Sequence, residues 1–331
     1  MERMEYPLVT VIMPIRNEAP FIARSLGSVL AQRYPPDRLE ILVVDGMSAD
    51  GTLAVIHRLH DANRVRILHN PRRIQAAALN IGLREAHGEV VVRVDGHTVI
   101  APDYINACLA ALETSHADAV GGAMVPIGVT SMGMAIAAAT TSSFAVPAAF
   151  HHSQRAQFTD TVYLGAWPRQ VLTRVGGFDE SVHPNEDYEL NYRIRRSSGK
   201  IYFDPTIRST YYGRQALGAL VTQYFRYGRS KVRTISRHPA SMRLRHLAAP
   251  IFTAFLIVGG LLSVVIAPVR IMWLGCLALY CALVGVFSIR CAARTSFRLV
   301  WRIALVFPAI HLAWGSGFWF ELVDRIRLRF L

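Results

Sequence analysis

Val90-Val91-Val92-Arg93-Val94-Asp95-Gly96-His97 is a β-branched run that ends on a carboxylate, a glycine and an imidazole. Such a run reads as a strand buried on both faces. In a parallel α/β sheet, ligands sit outside the carboxyl ends of the strands. Asp95 and His97 therefore stand where a ligand would be, and Gly96 lets the backbone turn between them. Carboxylate oxygen and imidazole nitrogen can share one divalent cation, Mn2+ or Mg2+, and that cation could neutralise a diphosphate. Taken alone, the tripeptide is a polar turn at a strand end; its neighbours change that reading.

Upstream, residues 8–14 form a first apolar strand, followed by Arg16-Asn17-Glu18 and a helical pattern through Phe21, Ile22, Leu26, Val29 and Leu30. Residues 40–45 form a second strand, again ending on a carboxylate, Asp45. The loop 46–49 follows, and Asp50 can cap a helix over 51–59. A third strand covers 65–68. Pro71-Arg72-Arg73 leads into a helix over 75–86 that stops at Gly88. Downstream, Pro102 opens a helix with Tyr104, Ile105, Cys108, Leu109 and Leu112 on one face, and 119–125 is a fifth strand. Strand–helix alternation at these lengths predicts an α/β fold, a doubly wound, mostly parallel Rossmann-like sheet.

Residues 128–150 carry no charge, but Thr140, Thr141, Ser142, Ser143 and Pro147 argue against a membrane span. The expectation is an Ala-rich helix beside the site or on a membrane. Residues 161–167 are short and aromatic, and 169–175 read as a helix ending at Gly176-Gly177. Glu186 and Asp187 then open a helix. Acids in a first turn suit the helix dipole; the functional alternative is that one of them is a general base.

Charge divides the chain. Residues 1–204 hold 19 basic and 21 acidic residues, whereas 205–320 hold 14 basic residues and no acid, within a total net charge of +13. Basic residues flanking apolar runs point to an anionic membrane surface rather than nucleic acid. Residues 217–225 place Leu217, Leu220, Val221, Tyr224 and Phe225 on one helical face, and seven basic residues follow up to Arg245, as in an interfacial helix. Uncharged runs at 247–269 and 271–289 are long enough to span, with Pro268 and Arg270 in a tight turn between them. A third run, 303–320, reads as either a span or a re-entrant or interfacial segment. The positive-inside rule puts the basic segments, and with them the catalytic domain, on the cytoplasmic side. Three regions result: a catalytic domain over 1–213, a basic interfacial segment over 214–246 and a membrane region over 247–331. The N-terminus does not read as a signal peptide. Cys108, Cys276, Cys281 and Cys291 imply no disulfide framework.

The ordered motifs Pro14-x-x-Asn17-Glu18, Asp45-Gly46-Met47-Ser48-Ala49-Asp50-Gly51-Thr52, Asn80-x-Gly82, Asp95-x-His97, Gly176-Gly177-Phe178-Asp179 and Glu186-Asp187 resemble the GT-A fold of family 2 glycosyltransferases. The Asp-Gly-His variant with a short C-terminal membrane region is similar to the membrane-associated succinoglycan-type glucosyltransferases of bacterial exopolysaccharide assembly.

That resemblance implies roles. Asp45 would accept a hydrogen bond from the nucleobase, and Pro14, Arg16, Glu18 and Arg72 would lie about the nucleotide. Asp95 would contact ribose or metal. His97 stands at the usual second acid of D-x-D, and a neutral imidazole there favours Mn2+ over Mg2+. Asp187, with Glu186 beside it, matches the catalytic base. Gln223-Tyr224-Phe225-Arg226-Tyr227 resembles the Q-x-x-R-W motif, in which Arg226 would touch the leaving diphosphate; an amphipathic helix with a basic flank explains the same residues. Trp167 and Gln223 would meet the acceptor. The implied activity is inverting transfer of glucose or another hexose from a UDP-sugar to a lipid-linked (polyprenyl) saccharide at the inner membrane, with a divalent cation. The alternatives are a processive polysaccharide synthase and a catalytically silent nucleotide-sugar-binding scaffold.

Overall fold

The computed structural model describes residues 6–59, 64–146, 153–182 and 184–327. The chain divides into two compact units, one of Met1–Val125 with Ala149–Tyr212 and one of Pro126–Ala148 with Gly213–Leu331.

A mixed sheet organises the first unit. Its strands are β1 (Val9–Ile15), β2 (Leu39–Asp45), β3 (Val65–His69), β4 (Val90–Arg93), β5 (Thr98–Ile100), β6 (Ala119–Ile127), β7 (Gln157–Phe158), β8 (Ala166–Pro168) and β9 (Ile201–Tyr212). Among the described residues the order is β3-β2-β1-β4-β8-β6-β9-β5, with β7 also paired to β9. The half β3-β2-β1-β4 is parallel. Beyond β4 the pairs β4–β8, β8–β6, β9–β5 and β9–β7 are antiparallel. The apolar runs of β1, β2 and β4 are buried almost throughout, each Val or Ile contributing roughly 1.5–3 kcal/mol on leaving water. Helix α1 (Ile22–Leu30) turns Ile22, Leu26 and Val29 inward.

Further helices of this unit are α2 (Thr52–His57), α3 (Gln75–Glu85) and α4 (Tyr104–Ser115). Strand β1 lies between β2 and β4, so the chain reverses its direction of winding at the β1 and β4 carboxyl ends. That is the place for a ligand crevice. Pro14 is tolerated in this central strand because β1–β4 pairing ends at Ile12 opposite Arg93, before an N–H from residue 14 is needed.

In the second unit, α5 (Ser131–Thr140) packs Ala135, Ile136 and Ala139 against Ile303, Val306, Phe307 and Ile310. The uncharged 128–150 segment thus supplies a short helix to the C-terminal cluster; residues 147–150 lie outside the described residues. Two more helices of the first unit, α6 (Arg169–Val175) and α7 (Glu186–Arg196), precede α8 (Leu217–Arg237).

Three helices after α8 are long and apolar enough to cross a membrane: Leu244–Ser263, Ala267–Ala293 and Phe297–Arg327. The expected tight turn at Pro268 and Arg270 falls earlier, and both residues lie inside the second of these helices. The reason is that proline at a first helical turn loses no hydrogen bond. The third is 31 residues long, enough to span about 30 Å. Glycines set its contacts: a Cβ at Gly317 would lie 2.0 Å from Phe225 O, and one at Gly228 2.0 Å from Trp314 O. The basic face of α8 is also partly internal. Arg229 Nε and Arg233 Nε donate to buried Glu321 at 2.9 and 2.7 Å, and Lys231 is buried.

Candidate active site

The β4 exit builds the site. Thr98 N–H donates to Asp95 O at 2.9 Å, closing a four-residue turn, and Ser25 Oγ from α1 donates to the same oxygen at 3.0 Å. The Asp95 side chain is held on three sides. Arg93 Nε donates to Oδ1 at 2.8 Å, Arg93 NH2 to Oδ2 at 3.0 Å, and Gln75 Nε2, at the start of α3, to Oδ1 at 3.1 Å. Arg93 NH1 lies 3.2 Å from Glu186 Oε1 at the start of α7. A single buried guanidinium therefore ties the strand-end carboxylate to the helix that carries the second acidic motif.

Arg93 and Glu186 are 5% and 3% exposed. Burial alone would lower the Arg93 pKa, but Asp95 first and then Glu186 reverse that and raise it. Burial pushes the Glu186 carboxyl up to about 7; Arg93 opposes the rise and Asp187 adds to it. The two acids of the Glu186-Asp187 pair are thus sorted. Glu186 turns inward to Arg93, while Asp187 is only half-buried. Asn185, left-handed at φ +85°, turns the chain into α7.

The loops after β1 and β2 lock together. Asn17 N–H donates to Ser48 Oγ at 2.9 Å and Asn17 Oδ1 accepts from Ala49 N–H at 2.9 Å. Asp50 accepts from Ala19 N–H at 3.0 Å and from Thr52 N–H at 3.0 Å. Burial would raise the Asp50 pKa, but these bonds, led by the Thr52 hydroxyl, hold it below the ordinary value. Asp45 is 2% exposed and accepts from Ser48 Oγ at 2.6 Å and Ser48 N–H at 3.1 Å. Its visible work is to shape the loop 46–48.

Arg16 is exposed and donates to Arg73 O at 3.3 Å. Arg72 pairs with Glu180. Glu180 also accepts from Asn80 Nδ2 at 2.9 Å, and Asn80 bonds both the N–H and the carbonyl of Phe178 at 2.9 Å. Arg72 and Gly176-Gly177-Phe178-Asp179 are therefore brought to one place through Asn80. Trp167 is 1% exposed and meets Phe178 edge-on at 6.0 Å; it is part of the core behind this loop. Gln223 and Arg226 lie on α8 in the second unit. Gln223 Nε2 donates to Tyr227 OH at 2.8 Å, and Arg226 is exposed.

Among the described residues no three His, Cys, Asp or Glu side chains gather about one point. Asp95 and His97 offer two donors, which suits a cation completed by phosphate and water. Asp95 Oδ2 accepts from Arg93 NH2, and a carboxylate oxygen has a second lone pair. His97 Nδ1 and Glu18 Oε1 are 2.7 Å apart, the arrangement in which a carboxylate accepts from the far nitrogen of a metal-bound imidazole. The donor chemistry fits a divalent cation.

Sequence reasoning missed Arg93, Gln75 and Ser25. The one available signal was Arg93 itself, a charge inside an otherwise apolar strand, which must have a buried partner.

Comparison with known proteins shows the family of the chain. The profile of Glycosyl transferase family 2 matches residues 10–163, and that of Glycosyl transferase family group 2 matches residues 90–289. The succinoglycan biosynthesis protein ExoA of Rhizobium meliloti (strain 1021) is 31% identical over 330 residues, covering 95% of this chain and 94% of that protein. A dolichyl N-acetyl-alpha-D-glucosaminyl phosphate 3-beta-D-2,3-diacetamido-2,3-dideoxy-beta-D-glucuronosyltransferase of Methanococcus voltae is 27% identical over 67% of this chain and 72% of its own length. Among solved structures, the mannosyltransferase PcManGT from Pyrobaculum calidifontis, in complex with GDP-Man and Mn2+, superposes with a TM-score of 0.66 at 22% identity. It covers 97% of this chain and 89% of that one.

Proposed function

The chain belongs to glycosyl transferase family 2, and from that premise we propose that it is an inverting hexosyltransferase. It moves a sugar from a nucleoside diphosphate sugar, UDP-linked by expectation, to a lipid-linked saccharide in exopolysaccharide or related glycan assembly. The observation that carries this reading is the sorting of Glu186 and Asp187. One carboxylate is buried against Arg93 and the other is half-exposed at the helix start.

Inversion needs one base to take the acceptor hydroxyl proton as the oxygen attacks the anomeric carbon opposite the leaving diphosphate. Asp187 is that base. Glu186 is not needed as a nucleophile, unlike the second carboxylate of a retaining glycosidase. It anchors the Asp187-bearing turn to Arg93 and so to Asp95. Pro14, Arg16, Glu18, Asp45 and Arg72 surround the nucleotide. Asp95 and His97 would hold a divalent cation, which when bound neutralises developing charge on the diphosphate. Trp167, being buried, supports the Phe178 loop from behind.

Three apolar helices and the basic stretches beside them support a membrane setting with the first unit on the cytoplasmic side. The activity is tested with detergent-purified protein, reading nucleoside diphosphate release across UDP- and GDP-sugars with Mn2+ or Mg2+ and a bacterial lipid extract as acceptor. Acceptor-dependent release with one sugar nucleotide is the expected result. Nucleotide binding without turnover for any acceptor would contradict the transferase reading.

A further inference from the structure

Glu18 and His97 follow different strands, β1 and β4, yet Glu18 Oε1 and His97 Nδ1 are 2.7 Å apart. A carboxylate only accepts, so Nδ1 carries the proton of this contact, and in the neutral ring the lone pair then lies on Nε2. Both partners are fixed from behind. Glu18 N–H donates to Thr52 Oγ1 at 2.8 Å, and Glu18 O accepts from Phe21 and Ile22 N–H at 2.9 and 2.8 Å. His97 O accepts from Tyr212 N–H at 3.0 Å, and the imidazole meets Tyr211 edge-on at 5.1 Å. Gly96 makes the approach possible. A Cβ there would lie 2.8 Å from Glu18 Cγ and 3.0 Å from Ile15 Cγ2, so the Glu18 side chain occupies space that only glycine leaves.

Resting on the reading that Asp95 and His97 hold the cation, we propose that Glu18 is a positioning residue that sets His97 as an Nε2 ligand. It also returns to the Asp-Gly-His turn the negative charge that a second aspartate would have supplied. The physical reason is twofold. An imidazole without a partner exchanges its proton between two nitrogens and rotates. A carboxylate on Nδ1–H stops both and raises the basicity of the opposite nitrogen. The sequence Asn17-Glu18 then has a role in this chain that depends on residue 97 being histidine.

The test is Mn2+ binding, read by electron paramagnetic resonance on full-length protein with UDP present and no sugar transfer required. Glu18→Ala is expected to raise the Mn2+ dissociation constant about 10–100-fold. Glu18→Gln, whose amide oxygen still accepts from Nδ1–H, loses less. In a His97→Asp background, Glu18→Ala no longer weakens Mn2+, because the ligand it oriented is gone. Unchanged Mn2+ affinity in Glu18→Ala, or the same loss in both backgrounds, overturns the proposal. Mn2+ binding that survives His97→Ala unchanged would instead remove the cation reading on which the proposal rests.

Discussion

Arg93 faces Asp95 with two parallel hydrogen bonds, Nε to Oδ1 at 2.8 Å and NH2 to Oδ2 at 3.0 Å, across a single intervening residue. Side chains two apart on a strand point to the same face, so the pair reports that strand geometry continues to the edge of the turn. The remaining nitrogen faces Glu186. Removing this arginine leaves two buried carboxylates without their common counter-charge. Arg93→Met should destabilise the first unit by about 3–5 kcal/mol, seen as a lowered thermal midpoint. Arg93→Lys keeps the charge but not the fork and should fall between. A midpoint unchanged in Arg93→Met would show that the ion pairs do not hold the site.

Glu186 gives a pH dependence of definite sign. Its folded-state carboxyl is raised from 4.5 to about 7, mainly by burial. A raised carboxyl favours the folded state while protonated, so its contribution is fully present below about 4.5. It is lost as pH rises through about 7. Thermal midpoints of wild type and Glu186→Gln, measured from pH 4 to 8, should therefore diverge across that interval, with wild type losing ground as pH rises. Parallel curves would remove Glu186 as the titrating group.

Gly317 and Gly228 permit the backbones of α8 and the third apolar helix to touch, with virtual Cβ atoms 2.0 Å from Phe225 O and Trp314 O. Both obstacles are backbone and cannot swing aside. Gly317→Ala should cost on the order of 1–3 kcal/mol by overpacking, read as faster thermal inactivation in detergent. Gly275→Ala, which has open space, is the control and should leave inactivation unchanged.

Glu321 gathers Arg229, Arg233 and Arg325 at 2.9, 2.7 and 3.4 Å. Glu321→Gln keeps the shape and removes the charge, leaving three arginines close together. Trypsin should then cut at Arg229 or Arg233 faster than in wild type, because α8 is no longer tied down. An unchanged digestion pattern would mean that glycine packing alone holds the helix.

Much of the parallel half was legible because β1, β2 and β4 are largely apolar runs, and those of β2 and β4 lead to single carboxylates, Asp45 and Asp95. The antiparallel half was not. Strands β5, β7 and β8 have three, two and three residues, too short for any period to show. Strand β9 runs unbroken through Asp204 and Pro205, residues that local propensity places in turns. The destination of α5 was hidden for a different reason: an alanine-rich face fits many partners equally well. Arg93 was visible as a misplaced charge, but which carboxylates it joins depends on α7 arriving from 93 residues later. The Glu18–His97 contact likewise joins distant strand ends, and Gly96 was legible only as a turn residue.

The most direct test of the catalytic assignment is steady-state transfer and nucleotide binding in Asp187→Asn, compared with wild type on the same acceptor. The account predicts that turnover falls about 10²–10⁴-fold, the usual worth of a general base, while UDP affinity stays the same. Turnover retained in Asp187→Asn would contradict it and move the base elsewhere.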